Sequence, residues 1–284
     1  ITPSNMYKTQ FGRELRRLML PHISRIIDYS FEKVFEKVLT SPAITVFNRN
    51  AGETFDYELK LNNKKTIKNI TKSELKDKWY FFENESKGRR RFGDFFKVSN
   101  SVATLCNKVY VINQDIIDEY RIEPTTIREA ISPKSKKLNR KEFIIFPYWY
   151  ENNELRYFGE DEYSKLFPHA YRYLLENKDT LNKTNKDNIE KWIEFGRSQA
   201  LAHLNQPKLL ISTIATNKIV VYDLNQDQIP YSGLYIVPTG DLGLDVAKDI
   251  LNKKSTMKYL QASGIVLSGK SIRISTKDIE NLRF

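Results

Sequence analysis

The apolar residues of this 284-residue chain come in short runs, each broken by a polar turn or an amphipathic stretch, and that punctuation leaves room only for a mixed α/β protein. No apolar run approaches the roughly 20 residues of a membrane span. The opening ITPSNMYKTQFGRELRRLML has no basic leader before a hydrophobic block, so neither secretion nor membrane insertion is supported. The single cysteine, Cys106, cannot form an internal disulfide and reads as a small buried hydrophobe. His22, His169 and His203 are scattered without metal-ligand spacing. A reducing cytoplasm is expected, and a zinc site is not.

Residues 1–7 read as the end of a buried strand and its loop, inside a domain. Residues 9–21 place Phe11, Leu15, Leu18 and Met19 on one face at helical spacing, with Arg13, Arg16 and Arg17 elsewhere, and Pro21 stops the helix. Strands are predicted at 22–29, 43–47 and 54–60, with a short turn or helix at 31–38. This order resembles the tail of an α/β sheet. A Lys- and Asn-rich stretch follows, and a linker is placed at 61–92. Beyond it the pattern is α+β. Strands are predicted at 95–98, 108–112, 142–146, 208–212, 217–222 and 234–237, and helices at 168–177, 188–195, 245–261 and 276–282. Trp79, Trp149 and Trp192 read as packing aromatics.

The 46 Lys and Arg outnumber the 35 Asp and Glu, and residues 1–150 hold 28 against 18 while residues 151–284 hold 18 against 17. A basic excess so placed suits a phosphate backbone, although a solvated lysine-rich surface has the same composition. Signatures of catalysis are missing: there is no GxSxG elbow, no phosphate loop ending in Lys-Ser or Lys-Thr, and no HExxH. Asp115 with Asp118, and the run Glu160, Asp161 and Glu162, read as acidic surface, because metal ligands must converge from separate elements.

The order of residues says more. ITPSNMY (1–7), FGRELR (11–16), IIDY (26–29), Val34 with Phe35, and PAITVF (42–47) resemble the end of the catalytic domain of TaqI-type N6-adenine-specific DNA methyltransferases of restriction-modification systems. The shared pattern is a strand end with Pro, a helix with Leu-Arg, a strand, a Val-Phe step and a strand ending in Phe twelve residues later. Residues 93–104 and 108–112 resemble the start of that family's C-terminal target-recognition domain, and 206–212, 218–222 and 234–237 its central strands. Residues 250–252, 269–273 and 279–282 resemble its closing helix, DNA-facing turn and final helix.

The resemblance implies the α/β end of a Rossmann-like methyltransferase domain over 1–60, a linker over 61–92, and an α+β TaqI-like target-recognition (DNA specificity) domain over 93–284. It also implies double-stranded DNA as partner and base flipping, with Phe35 stacking on the extruded adenine. An ordinary core phenylalanine remains the other reading of Phe35. The family's cofactor loop and its Asn/Asp-Pro-Pro-Tyr/Phe loop belong before Ile1. This chain is therefore expected to bind no S-adenosylmethionine alone, to be inactive in methyl transfer alone, and to act with an upstream catalytic segment or subunit and a cognate restriction endonuclease. Two further readings are a non-enzymatic DNA specificity subunit and the recognition domain of a fused restriction endonuclease-methyltransferase.

For contacts with DNA, the run KGRRR (87–91) contributes Arg89, Arg90 and Arg91 as phosphate ligands, or else as a solvated basic linker. Lys97, Ser99, Asn100 and Thr104 sit on the turn that the resemblance directs toward DNA. Lys134, Lys136 and Lys137 lie in a basic segment without apolar period, a phosphate contact or a plain surface loop. In SGKSIR (268–273), glycine allows close backbone approach while Lys270 and Arg273 supply charge.

Overall fold

Five strands, β1 (Thr2–Pro3), β2 (Ile23–Asp28), β3 (Pro42–Phe47), β4 (Thr54–Leu61) and β5 (Lys64–Thr71), form a sheet in the order β1-β3-β2-β4-β5. β2 runs parallel to β4, and every other pairing is antiparallel. Along β4 the alternate residues Phe55, Tyr57 and Leu59 are buried, the period of two that a half-buried strand requires. A register shift between Ile23 and Arg25 lets Ile23 and Ile26, three residues apart, both be buried on β2. The computed structural model describes residues 1–38, 40–61, 64–81, 88–184, 191–267 and 271–284.

The chain divides into two units. Unit 1 comprises Ile1–Gly93, Thr213–Val220 and Asp249–Phe284, and unit 2 comprises Asp94–Ser212 and Val221–Lys248. The linker expected at 61–92 is thus corrected. β5 pairs along the whole of β4, and Trp79 and Phe81 enter the core of unit 1, Trp79 stacked on Tyr7 at 5.8 Å and Phe81 on Tyr57 at 4.0 Å. The Lys-rich composition that suggested a linker belongs to an edge strand, where Lys64, Lys65 and Lys68 keep the open edge from pairing with other chains. The continuous domain expected at 93–284 is corrected too, since its closing segments fold with unit 1. Lys8 Nζ donates to the carbonyls of Ala262 at 2.8 Å and Gly264 at 3.0 Å, and Ser41 Oγ to that of Leu267 at 2.8 Å.

Helix α1 (Arg13–Met19) forms where predicted but faces the other way. Phe11, Leu15 and Leu18 are exposed, and Arg16 is 3% exposed. The guanidinium of Arg16 donates to the carbonyls of Met6, Thr9 and Asp77, and these three anchors outweigh the apolar stripe. Gly12 makes room for them, because a Cβ there would overlap the Met6 carbonyl. Gly12→Ala is expected to remove about 2 kcal/mol from unit 1, read as a lowered urea midpoint at unchanged m-value.

In unit 2, β6 (Phe96–Asn100) lies at one edge of an antiparallel sheet, beside Leu234–Pro238, then Lys208–Ile211, then Val221–Leu224. A second sheet joins Val111–Ile112, Glu142–Ile145, Ile127–Ile131 and, in parallel, Ile229–Pro230. The hairpin Tyr148–Glu151 to Glu154–Tyr157 turns through Asn152 and Asn153, whose φ values of 50° and 64° give the twist a two-residue turn needs. Helices Glu160–Leu166 and Pro168–Glu176 bury Tyr163, Ala170 and Leu174 in the same core as Ile144 and Ile145. The strand predicted at 108–112 is half helix, Asn107–Tyr110, because the Tyr110 hydroxyl reaches the carbonyls of Ile193 and Glu194, both at 3.0 Å. The helix predicted at 245–261 is two, Leu244–Asn252 and Lys254–Ser263. Residues 191–195 of the helix predicted at 188–195 are turn and coil; 188–190 lie outside the described residues. Among the described residues no helix is long and apolar enough to cross a membrane.

Candidate nucleic-acid interface

Charge separates by unit. Unit 1 holds 27 Lys and Arg against 14 Asp and Glu, a balance of +13, while unit 2 holds 19 against 21, a balance of −2. The basic excess seen in the first half of the sequence therefore belongs to one folding unit, where it makes a positive field that draws polyanions.

Arg89, Arg90 and Arg91 are exposed on an extended segment pinned to the last residues of the chain. Arg91 pairs with Arg283 in an antiparallel bridge, Phe284 N–H donates to the Arg90 carbonyl at 3.0 Å, and Phe92 N–H to that of Leu282 at 2.8 Å. Gly88 permits the approach, since any Cβ there would run into the Phe284 backbone. Arg283 thereby joins the three predicted arginines, a fourth cation that no local motif signals. Arg273 is exposed between buried Ile272 and Ile274 on the strand Ile272–Arg273, which pairs with Ile214–Ala215 and Ile265–Val266. Lys270 lies outside the described residues.

Phe35 is 41% exposed, beside exposed Val34 and Val38, on a segment from 29 to 38 that is neither helix nor strand. Phe31 packs on the core of unit 1. Phe35 is no core residue. Its segment starts from Asp28, a carboxylate 7% exposed that accepts from Ser30 N–H at 2.8 Å, from the Ser30 hydroxyl, and from the Tyr57 hydroxyl at 2.6 Å. Burial, with the Asp28 charge next, raises the Tyr57 hydroxyl well above its ordinary pKa, so this donor keeps its proton. Asp28 escaped the sequence reading because a lone Asp after two isoleucines looks like any strand end.

In unit 2 the predicted residues diverge. Lys97 is exposed, its Nζ 2.6 Å from His203 Nε2, and burial followed by the Lys97 charge lowers the imidazole pKa. Ser99 is half-buried opposite Tyr235, and Asn100 is exposed opposite Leu234. Thr104 is corrected: it is 2% exposed, accepts from Cys106 N–H at 3.1 Å and donates to Asn107 Oδ1 at 2.6 Å, so its hydroxyl closes a turn and reaches no groove. Lys134, Lys136 and Lys137 stand on a short helix, Pro133–Lys137, started by a reciprocal capping box of Ser132 and Ser135, where a loop was expected. Lys134 and Lys137 are exposed there and Lys136 half-buried. Among the described residues no group of three or more His, Cys, Asp or Glu could hold a metal ion.

A cavity of about 340 Å³ opens beside α1 in unit 1, with Arg13, Arg16, Arg17 and Lys76 in its wall. Glu14 and Asp77 share that wall, and with four cations to two carboxylates it offers no net negative charge to the sulfonium of S-adenosylmethionine.

The fold is a mixed α/β one similar to that of a solved restriction-modification enzyme. It matches the type IIL restriction-modification enzyme MmeI, solved in complex with DNA, with a TM-score of 0.65 at 8% identity, over 98% of this chain and 38% of that one. By sequence the chain is homologous to the type II restriction enzyme and methyltransferase RM.Eco57I of Escherichia coli, 22% identical over 312 residues, which is 92% of this chain and 30% of that protein. It spans less than a third of that relative. The type IIG restriction endonuclease BpuSI aligns over 99% of this chain and 39% of its own at 11% identity, with a TM-score of 0.40. No protein-family model matches the chain. The resemblance read from motif order thus points the same way as a relative whose own name joins restriction enzyme and methyltransferase.

Proposed function

We propose that the chain recognises duplex DNA within an adenine-specific methyltransferase of a restriction-modification system, acting in the cytoplasm. In this reading the sheet of unit 1 is the tail of a Rossmann-like domain, and unit 2 is a TaqI-like recognition module that reads the site. Phosphates lie along the arginines of unit 1, which fix the register, and an extruded adenine stacks on Phe35. S-adenosylmethionine is the methyl donor of the whole enzyme, held by residues outside this chain. The observation that carries the reading is the charge of +13 against −2, with Arg89, Arg90, Arg91 and Arg283 gathered on two paired segments. The joint name of the relative, restriction enzyme and methyltransferase, favours a fused nuclease as the setting over a non-enzymatic specificity subunit.

Duplex affinity is expected to fall steeply with salt, with a log–log slope of roughly −0.9 per phosphate contacted. Replacing Arg89, Arg90, Arg91 and Arg283 together by Gln should flatten that slope by about 3.6 and weaken all sequences alike. Fluorescence anisotropy across a salt series measures both, and a slope unchanged by the four substitutions defeats the assignment. Phe35→Ala, in a protein that also carries the catalytic loop, should abolish the 2-aminopurine signal of a flipped base.

A further inference from the structure

The cavity beside α1 holds an imbalance that its own residues do not resolve. Arg16 is 3% exposed, and its hydrogen-bond acceptors are three backbone carbonyls, none of which bears a full negative charge. Its Nε has no acceptor at all. A buried cation needs a counter-charge, and a buried N–H needs an acceptor. Of the two carboxylates in the wall, Asp77 lies 3.4 Å from Arg13 Nε and reaches Arg16 only through its charge, and Glu14 lies 3.1 Å from Arg17 Nε. Both pairs are open to solvent, with side-chain exposures of 55% and 73% for the first and 75% and 70% for the second. Pairs this exposed contribute little and exchange partners easily. With Lys76, four cations face two carboxylates across the cavity. Burial also lowers the Arg16 pKa. The rest of the wall is apolar, from Leu20, Leu75 and Trp79.

We propose that this cavity is a phosphoryl-anion site, in which Arg13, Arg16, Arg17 and Lys76 take the oxygens of a nucleotide phosphate, carried either by a nucleic-acid backbone or by a free nucleotide. Guanidinium groups match phosphate oxygens in pairs, and a cavity of about 340 Å³ with an apolar side has room for more of a nucleotide than its phosphate. The site stands on its own and does not depend on the recognition reading above.

The test titrates the whole chain with inorganic pyrophosphate and with AMP by calorimetry, and with duplex DNA across a salt series. The variants are Arg13→Gln/Arg17→Gln and, as a control with the same charge loss at an edge strand, Lys64→Gln/Lys65→Gln. The expected result is binding of pyrophosphate or AMP that weakens at least about tenfold in the arginine pair and not in the lysine pair. If the duplex salt slope of the arginine pair also falls by about 2, the phosphate belongs to a backbone; if the slope is unchanged, to a free nucleotide. The proposal is overturned if neither pyrophosphate nor AMP binds and the duplex slope is the same in wild type and arginine pair, or if the two variant pairs behave alike. Pyrophosphate binding by a chain that ignores duplex DNA would remove the recognition reading and leave this site in place.

Discussion

Between pH 10 and pH 12, unit 2 is expected to lose about 6 kcal/mol of stability, enough to unfold a domain of ordinary stability. Tyr110, Tyr148 and Tyr163 are buried in its core, and burial is the leading cause that raises each hydroxyl far above its ordinary pKa. Their partners are internal: Tyr148 Oη accepts from Phe195 N–H at 2.6 Å, and Tyr163 Oη lies 2.7 Å from Thr126 Oγ1. Unfolded tyrosine loses its proton near pH 10 while the folded one keeps it, so above that pH the unfolded chain binds fewer protons. Stability then falls by about 1.4 kcal/mol per pH unit per tyrosine. Lys208 has the opposite sign. It is fully buried, donates to the carbonyls of Asn225, Gln226 and Gln228 at 2.6, 3.3 and 3.1 Å, and is pulled down to about 8 by burial. The unfolded side chain holds its proton to about pH 10.5, so between the two values the unfolded chain binds more protons and stability rises, by about 3 kcal/mol. Unfolding followed through Trp149 and Trp192 should therefore strengthen from pH 8 to 10 and collapse above. Lys208→Met should remove the rise and Tyr163→Phe should soften the fall. A flat profile would contradict both.

Asp28→Ala is expected to remove about 3 kcal/mol from unit 1, since it leaves Ser30 N–H, the Ser30 hydroxyl and the Tyr57 hydroxyl without the carboxylate they share. Tyr57→Phe removes one donor and leaves the acceptor satisfied, and about 1 kcal/mol should follow. Equal losses in the two variants would show that Asp28 is not the hub. Because Asp28 opens the segment that carries Phe35, its loss should also blunt any signal that depends on Phe35, with the phenylalanine intact.

Alternation marked β4, whose buried Phe55, Tyr57 and Leu59 repeat with the period of a strand, while β2 and β3 were found as short runs rich in β-branched residues. Helix α1 was found too, but not its orientation. Periodicity ranks leucine inward and arginine outward, and three carbonyls waiting for Arg16 reverse that order, one of them 61 residues away in sequence. The same limit hid Arg283, whose place beside Arg89, Arg90 and Arg91 depends on an antiparallel bridge between distant segments. Thr104 failed for a local reason, since a threonine in a turn serves the turn first. Motif order singled out Phe35, and burial shows only that it is no core residue, at 41% exposed.

The interleaving of the two units has a temporal consequence. The ribosome releases the first 93 residues of unit 1 long before the segment that completes it. Arg90 waits for Phe284, which is roughly 10–40 s at ordinary rates of translation. During that interval the nascent sheet has neither the carbonyls that hold Lys8 nor the strand that covers Gly88, while all of unit 2 is made and can fold. Of the two units, the basic one is begun before the other and completed after it.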